Sequence, residues 1–472
     1  MTRRLLRDAA ILAGDPAAYI PRGWLLLEGG IIAAMGAGDP PAAALTDAVV
    51  MPCRMRLAAP GLVNAHTHSQ SVTLPGLGDR LSHPAFMWRT MARTANRTPQ
   101  ETALAVQLMA WWALSTGTTS VLDHFPGQRF AAADVEAVLA AWHDTGLRAV
   151  VGLRFFDQGF GDIMPPGMPP DADQGLLRPQ PLESLGEIAR DAIRRWHGRD
   201  GRIGVFPAPS NPDRCSDAAL LLCADIAARH DTGLHTHLLE TATQARQARA
   251  RFGMGSLERL EALGVLSARW SCAHSVHLSA AEIELMARRG AIAVLNPESN
   301  ARLGVGTADI PGLRDAGVRL ALATDGPGSN DNLSMHEAMR AAALAHRAAL
   351  PDRGRWFSAA DALRAATRGG AAALRMSTGV LAPGHAADIV LYDLAQPGWL
   401  PVNDAVTQLV FAETGASVRS VLVAGELLLD EGRPTRFDPA ALAEEILAMH
   451  ARLEDRNAPL CAAADAITAL LP

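Results

Sequence analysis

The 472-residue chain contains no lysine, so all 43 of its basic residues are arginine. Chemistry that needs a lysine side chain is therefore excluded, including a carbamylated lysine bridging two metal ions. Cysteine is scarce and odd in number: Cys53, Cys215, Cys223, Cys272 and Cys461 contain no Cys-x-x-Cys spacing. Neither a disulfide framework nor a zinc ribbon is indicated, and a reducing, cytoplasmic setting is expected. No uninterrupted apolar run of about 18 residues occurs, which predicts no membrane span. At the start, Arg7 and Asp8 interrupt the apolar core that a signal peptide requires, so this stretch reads as a first strand. An excess of positive charge is missing too. With a formal charge of −6, a pI near 6.2 and arginines spread along the chain, no electrostatic case exists for nucleic acid or an anionic membrane.

What is present is an ordinary globular composition, 49% hydrophobic with 41 glycines, long enough for one large domain and a smaller one. The chain is organised around Ala59-Pro60-Gly61-Leu62-Val63-Asn64-Ala65-His66-Thr67-His68. This apolar run opened by Pro-Gly reads as a buried strand, and the i,i+2 spacing puts both imidazoles on one face. Two neutral imidazoles side by side suit a divalent metal. Alone, the pair would serve equally well as a half-exposed strand end. Three later stretches decide against that: Leu234-His235-Thr236-His237-Leu238-Leu239-Glu240, Ser271-Cys272-Ala273-His274 and Leu322-Ala323-Thr324-Asp325-Gly326. Each is an apolar run ending in a side chain that handles metal or protons.

Eight such runs alternate with helical patterns: Leu62 to His66, Thr118 to His124, Leu147 to Phe156, Ile203 to Ala208, Gly233 to His237, Trp270 to His274, Ala291 to Asn296 and Val318 to Asp325. This predicts an α/β fold, a (β/α)8 TIM-like barrel over residues 58–383, with the polar residues at the C-terminal ends of the strands where such barrels carry their sites. Residues 1–57 alternate short apolar runs with Gly, Pro and Asp turns, a β-rich pattern, and a matching piece returns at 384–436. Residues 437–472, rich in alanine and leucine, should be helical. The segment Gly159 to Arg178 interrupts the third unit, either as a substrate-covering loop or as a plain surface loop.

The four polar stretches, with Asn296-Pro297-Glu298-Ser299-Asn300 and Ser329-Asn330, resemble the amidohydrolase superfamily over nearly the whole chain. Within it they are similar to the branch of S-adenosylhomocysteine/5-methylthioadenosine deaminases, cytosine deaminases and triazine hydrolases. The resemblance implies that segments 1–57 and 384–436 pair into a small β-sandwich beside the barrel. It also implies that His237 and Glu240 form the family's His-x-x-Glu, in which the histidine binds metal and the glutamate moves protons. His235 is left as a core histidine or as support for a ligand. His274 matches a histidine that polarises water or substrate, and His277, three residues on, reads as a loop residue.

The expected ligands of one divalent metal, zinc or alternatively iron(II), are thus His66, His68, His237 and Asp325. That set leaves an open position for water, whose pKa falls from 15.7 to roughly 7 on such an ion. Glu240, His274 and Asp325 are the expected catalytic groups, with the Glu240 pKa raised by an apolar pocket. Trp88 matches the family's substrate-packing tryptophan, while His124 and Arg154, at the ends of strands two and three, point toward polar substrate groups. After strand four, adenosine-type deaminases carry Pro-His-Ala-Pro-Tyr. Here the sequence is Phe206-Pro207-Ala208-Pro209-Ser210-Asn211-Pro212, which argues against S-adenosylhomocysteine or methylthioadenosine. The expected activity is deamination of a purine-, pterin- or pyrimidine-like heterocycle with release of ammonia. Alternatives are displacement of chloride or alkylamine from a triazine-like ring, or opening of a cyclic amide. A catalytically silent scaffold would have lost ligands, and none is lost. The expected partners are a small heterocyclic substrate and further copies of the chain, with neither nucleic acid nor membrane.

Overall fold

The computed structural model describes residues 3–125, 130–164, 175–176 and 178–471. Positions 165–174 and 177 of the Gly159 to Arg178 segment lie outside the described residues. All eight apolar runs are strands: β1 (Leu62–Thr67), β2 (Thr118–Phe125), β3 (Arg148–Phe155), β4 (Ile203–Pro209), β5 (Leu234–Leu238), β6 (Trp270–His274), β7 (Ile292–Leu295) and β8 (Arg319–Leu322). They form two parallel sheets of four, β1 to β4 and β5 to β8, each in sequence order. Parallel strands covered by helices are buried on both faces, which is why they appear as continuous apolar runs. Every residue of β2 and of β3 is buried.

Val63, Ala65, Leu122, Val150, Phe206, Ile292, Val294 and Ala321, from strands of both sheets, pack into one interior cluster. Ala371, Ala373 and Leu374 join it. The two sheets also meet at their C-terminal ends through backbone bonds, His237 N–H to Ser210 O at 3.3 Å and Asp325 N–H to His66 O at 3.1 Å. Gly61 shows why a glycine precedes β1: a Cβ there would lie 2.1 Å from Thr119 Oγ1 of β2. The ladder of β8 stops at Leu322, earlier than expected. Asp325 beyond it takes φ +63°, which turns the chain at the strand end.

The terminal segments come together in one sheet. Hydrogen bonding runs through one nine-stranded sheet, in which Arg56–Pro60 pairs antiparallel with Ile389–Asp393. The sheet rolls, because the far-edge Ile32 N–H reaches His385 O at 2.9 Å and Gly384 N–H reaches Ile32 O at 2.8 Å. The roll encloses Leu6, Ile11, Leu25, Leu27, Ile389 and Leu422. Arg148 of β3 ties it to the parallel sheets through a buried ion pair with Asp388, 2.6 Å from Nε to Oδ2. The C-terminal residues form the helix Pro439–Thr468. Its Asn457 donates to Ala95 O at 2.8 Å, backing the helix His83–Thr94.

Candidate active site

The site is assembled where the C-terminal ends of the strands meet. His66 is fully buried. Its Nδ1 lies 2.8 Å from His235 Nε2, and His235 Nδ1 lies 2.8 Å from Ser271 Oγ. Ser271 in turn donates to Leu234 O, so the polarity of the chain is set: His235 Nδ1–H donates to Ser271, and His66 Nδ1–H donates to His235. That leaves the His66 Nε2 lone pair buried and without a hydrogen-bond partner. The same logic fixes two more rings. His68 Nδ1–H donates to His124 O at 3.0 Å, and His237 Nδ1–H donates to Ser210 O at 2.6 Å. The Nε2 atoms of His68 and His237 therefore face each other with lone pairs, 3.2 Å apart.

Asp325 completes the group. Its Oδ1 lies 3.4 Å from His66 Nε2 and 3.5 Å from His68 Nε2, while Oδ2 accepts from Ser299 at 2.7 Å and Ser329 at 2.9 Å. Gly326 follows because a Cβ there would lie 2.4 Å from Ser71 Oγ. Burial would raise the Asp325 carboxyl, but the imidazoles of His66, His274 and His68 hold it well below its usual range. Burial pushes His68 down to about 3 and His237 well below its ordinary value, so neither takes a proton at neutral pH. Facing lone pairs without a proton between them require a cation. These residues fit a divalent metal with mixed imidazole and carboxylate ligation.

Glu240 stands beyond the end of β5, its Oε2 3.2 Å from His83 Nε2 and 3.9 Å from His274 Nε2. Its ionisation is opposite to the expectation from sequence. Burial raises its pKa, yet His274 and His83 outweigh burial and bring it down to about 2. The cavity around Glu240 is not apolar, because two imidazoles flank it. His274 takes φ +70° at the end of β6, and its Nδ1 donates to Asn300 Oδ1 at 2.9 Å. Its Nε2 is thereby directed toward Glu240. Left-handed backbone at a residue other than glycine costs of order 1–3 kcal/mol and persists where the surroundings impose it. His277 contacts Val305 O at 2.7 Å, a loop contact.

A cavity of about 700 Å³, its open mouth included, is bounded by His68, His237, Glu240, His274 and Asp325 on its inner side. Arg154 also lines it. Burial lowers the Arg154 pKa to about 10, its Nε has no hydrogen-bond partner, and among the described residues no carboxylate pairs with it. Arg214 beside it is paired with Asp162, Nη2 to Oδ2 at 2.5 Å. His124 is not at the cavity wall. Its Nε2 donates to Ala208 O at 3.2 Å, and its ring lies behind those of His68 and His237. One of its nitrogens is grouped with those of His66, His68 and His237 within 4.8 Å.

Trp88 is also away from the cavity. It is 0% exposed, packs in a cluster with Phe156, Phe160 and Ile163, and donates to Ile163 O at 3.0 Å. The cavity wall on this helix is His83, Phe86, Met87, Thr90, Met91 and Thr94. That spacing is one helical stripe, i, i+3, i+4, i+7, i+8, i+11, and Trp88 falls outside it. The periodicity was available in the sequence and would have pointed to His83, which motif reading missed.

The amidohydrolase family matches residues 57–428. A 5-methylthioadenosine/S-adenosylhomocysteine deaminase of Nitratidesulfovibrio vulgaris is 34% identical over 449 residues, 93% of this chain and 95% of that protein. Among solved structures, an adenosine deaminase from Xanthomonas campestris with bound zinc has a TM-score of 0.84 at 28% identity, covering 96% of this chain and 99% of that one. An atrazine chlorohydrolase from Arthrobacter aurescens complexed with zinc has a TM-score of 0.85 at 25% identity, covering 94% and 99%. The likeness makes the fold of this chain TIM-barrel-like.

Proposed function

Because the chain belongs to the amidohydrolase family, we propose that it is a mononuclear metal-dependent aminohydrolase that replaces an exocyclic amine on a nitrogen heterocycle by oxygen and releases ammonia. The two parallel sheets are read as one closed (β/α)8 barrel with the site at its C-terminal mouth, a reading supported by the shared interior cluster and the two bonds joining the sheets. The observation that carries the function is the facing pair of lone pairs on His68 and His237, with Glu240 and His274 within the same cavity. Held by His66, His68, His237 and Asp325, a divalent ion such as zinc would supply a water-derived nucleophile at neutral pH. The five cysteines, all free, support a cytoplasmic location.

The chain's own residues then divide the protons. Asp325, with Oδ2 held by Ser299 and Ser329, takes one proton from the attacking water. Glu240, a carboxylate at rest, relays a proton to the ring nitrogen next to the reacting carbon, so that the ring accepts the electron pair. The amine leaves with the proton from Asp325 as ammonia. The hydroxyl proton released as the new carbonyl forms returns through Glu240, and the balance closes. His274, oriented by Asn300, stands beside Glu240 to polarise the group added at carbon.

Substrate choice is read from Arg154. Among the described residues the buried Arg154 guanidinium has no anion, and such a group calls for one from the ligand. The favoured substrate is therefore an aminated heterocycle that also carries an oxo or acidic group. The test is a panel of aminopurines, oxo-aminopurines, aminopterins, aminopyrimidines and aminotriazines, scored for ammonia. Ammonia from oxo-bearing members with kcat/KM above roughly 10⁴ M⁻¹s⁻¹ is expected. Chloride release from chlorotriazines, or opened lactams without ammonia, would replace the deaminase reading by another hydrolysis.

A further inference from the structure

The chemistry above leaves His83 without a role, although it is the titratable side chain in closest contact with Glu240. It occupies the first position of the helix His83–Thr94, is 6% exposed, and lines the same cavity as the ligands. Its Nε2 is 3.2 Å from Glu240 Oε2. The other groups that face it are Asp162 and Arg214. Those two neutralise each other, with Arg214 Nε and Nη2 both donating to the Asp162 carboxylate. Glu240 is thus the carboxylate left for His83. On the far side, Glu240 meets His274 and the charge of Asp325.

A carboxylate and an imidazole buried in contact act as one acid with a shared proton. Deamination requires a proton on the ring nitrogen at the moment the nucleophile adds, and that proton has to be stored between turnovers. We propose that His83 is a positioning residue that stores the proton Glu240 delivers, so that the acid of this site is the His83–Glu240 pair. In the resting site His83 carries the proton and Glu240 is a carboxylate. As the ring nitrogen bonds the proton, the His83 N–H bond breaks and the proton crosses Glu240. When the product carbonyl forms, its hydroxyl proton returns through Glu240 to His83. The direction of both groups agrees: burial opposes charge on His83, but Glu240 raises it overall, and Glu240 itself is lowered.

The geometry of the pair does not depend on the substrate, whereas its catalytic use rests on the deaminase reading. The experiment therefore has two arms. In zinc-loaded protein with labelled histidine, the His83 resonance, identified by its loss in His83→Gln, should titrate above an ordinary imidazole and fall back toward it in Glu240→Gln. In the second arm, His83→Gln should keep its metal and its melting temperature, lose on the order of 10²-fold in kcat with KM nearly unchanged, and show its alkaline limb moved to lower pH. His83→Asn, which cannot hold a proton either, should behave alike. Identical His83 titration in wild type and Glu240→Gln overturns the pairing. An unchanged alkaline limb in His83→Gln, or a loss explained by lost metal or stability, overturns the proton store. If no heterocycle releases ammonia, the deaminase reading falls, and the first arm alone still decides the pair.

Discussion

His68 Nε2 and His237 Nε2 stand 3.2 Å apart, each ring having spent its only N–H on a backbone carbonyl. This contact is unfavourable without a cation and sets the first prediction. Elemental analysis should find one divalent ion per chain, since no lysine is available for a bridging carbamate. His68→Ala and His237→Ala should each lose it. His235→Phe removes the acceptor for His66 Nδ1–H and should weaken metal binding by about 10–100-fold, the usual effect of removing a group that orients a ligand. Two equivalents of metal, with activity following the second, would refute the mononuclear site.

Glu240→Gln should retain metal and lose about 10²–10⁴-fold in kcat, because the proton it moves is needed only after binding. Metal content and kcat measured on the same preparation check this. Equal loss of both would make Glu240 a ligand or a structural residue.

How much of this was legible in the sequence depended on whether the signal was local. The strands were legible because buried parallel strands are unbroken apolar runs, and His66, His68, His237 and Asp325 converge because they end or follow those runs. That the terminal segments pair was legible only through the family resemblance, and the register of Arg56–Pro60 against Ile389–Asp393 was not, because no local pattern encodes the alignment of segments so far apart. Trp88 drew attention by size and motif position, yet its helix turns it away from the cavity by one step of the stripe that begins at His83. The charge state of Glu240 was illegible for the same reason. It is set by His83, which no spacing rule connects to the His-x-x-Glu motif.

Arg154→Met should raise KM for the true substrate and lower kcat/KM by about 10–100-fold, the value of a hydrogen bond to a charged group. The effect should vanish for analogues lacking the oxo or acidic group. Thermal unfolding of the ligand-free variant should move upward, since the buried charge removed has no carboxylate partner among the described residues. A substrate-independent loss of activity would show that Arg154 does not meet the ligand.

The last prediction concerns the pH dependence of stability in metal-free protein, where ligand protonation cannot release an ion. Glu240 has a folded pKa lowered to about 2 from a model-compound value of 4.5. A depressed carboxyl contributes stability that is full above its unfolded pKa and is lost as pH falls through the folded one. His83 has the opposite sign. Its raised folded pKa gives stability that is full below its unfolded value of 6.5 and is lost as pH rises through the folded value. The two windows overlap between 4.5 and 6.5. Urea unfolding of wild type and Glu240→Gln across pH should therefore show the largest difference in that interval, declining toward acid as Glu240 protonates and toward alkali as His83 deprotonates. Groups remote from Glu240 are common to both proteins and cancel in the difference, whereas those that face it, His83, His274 and Asp325, remain in it. A difference that stays constant with pH would mean that the 3.2 Å contact joins two uncharged groups, and would remove the ion pair from the site.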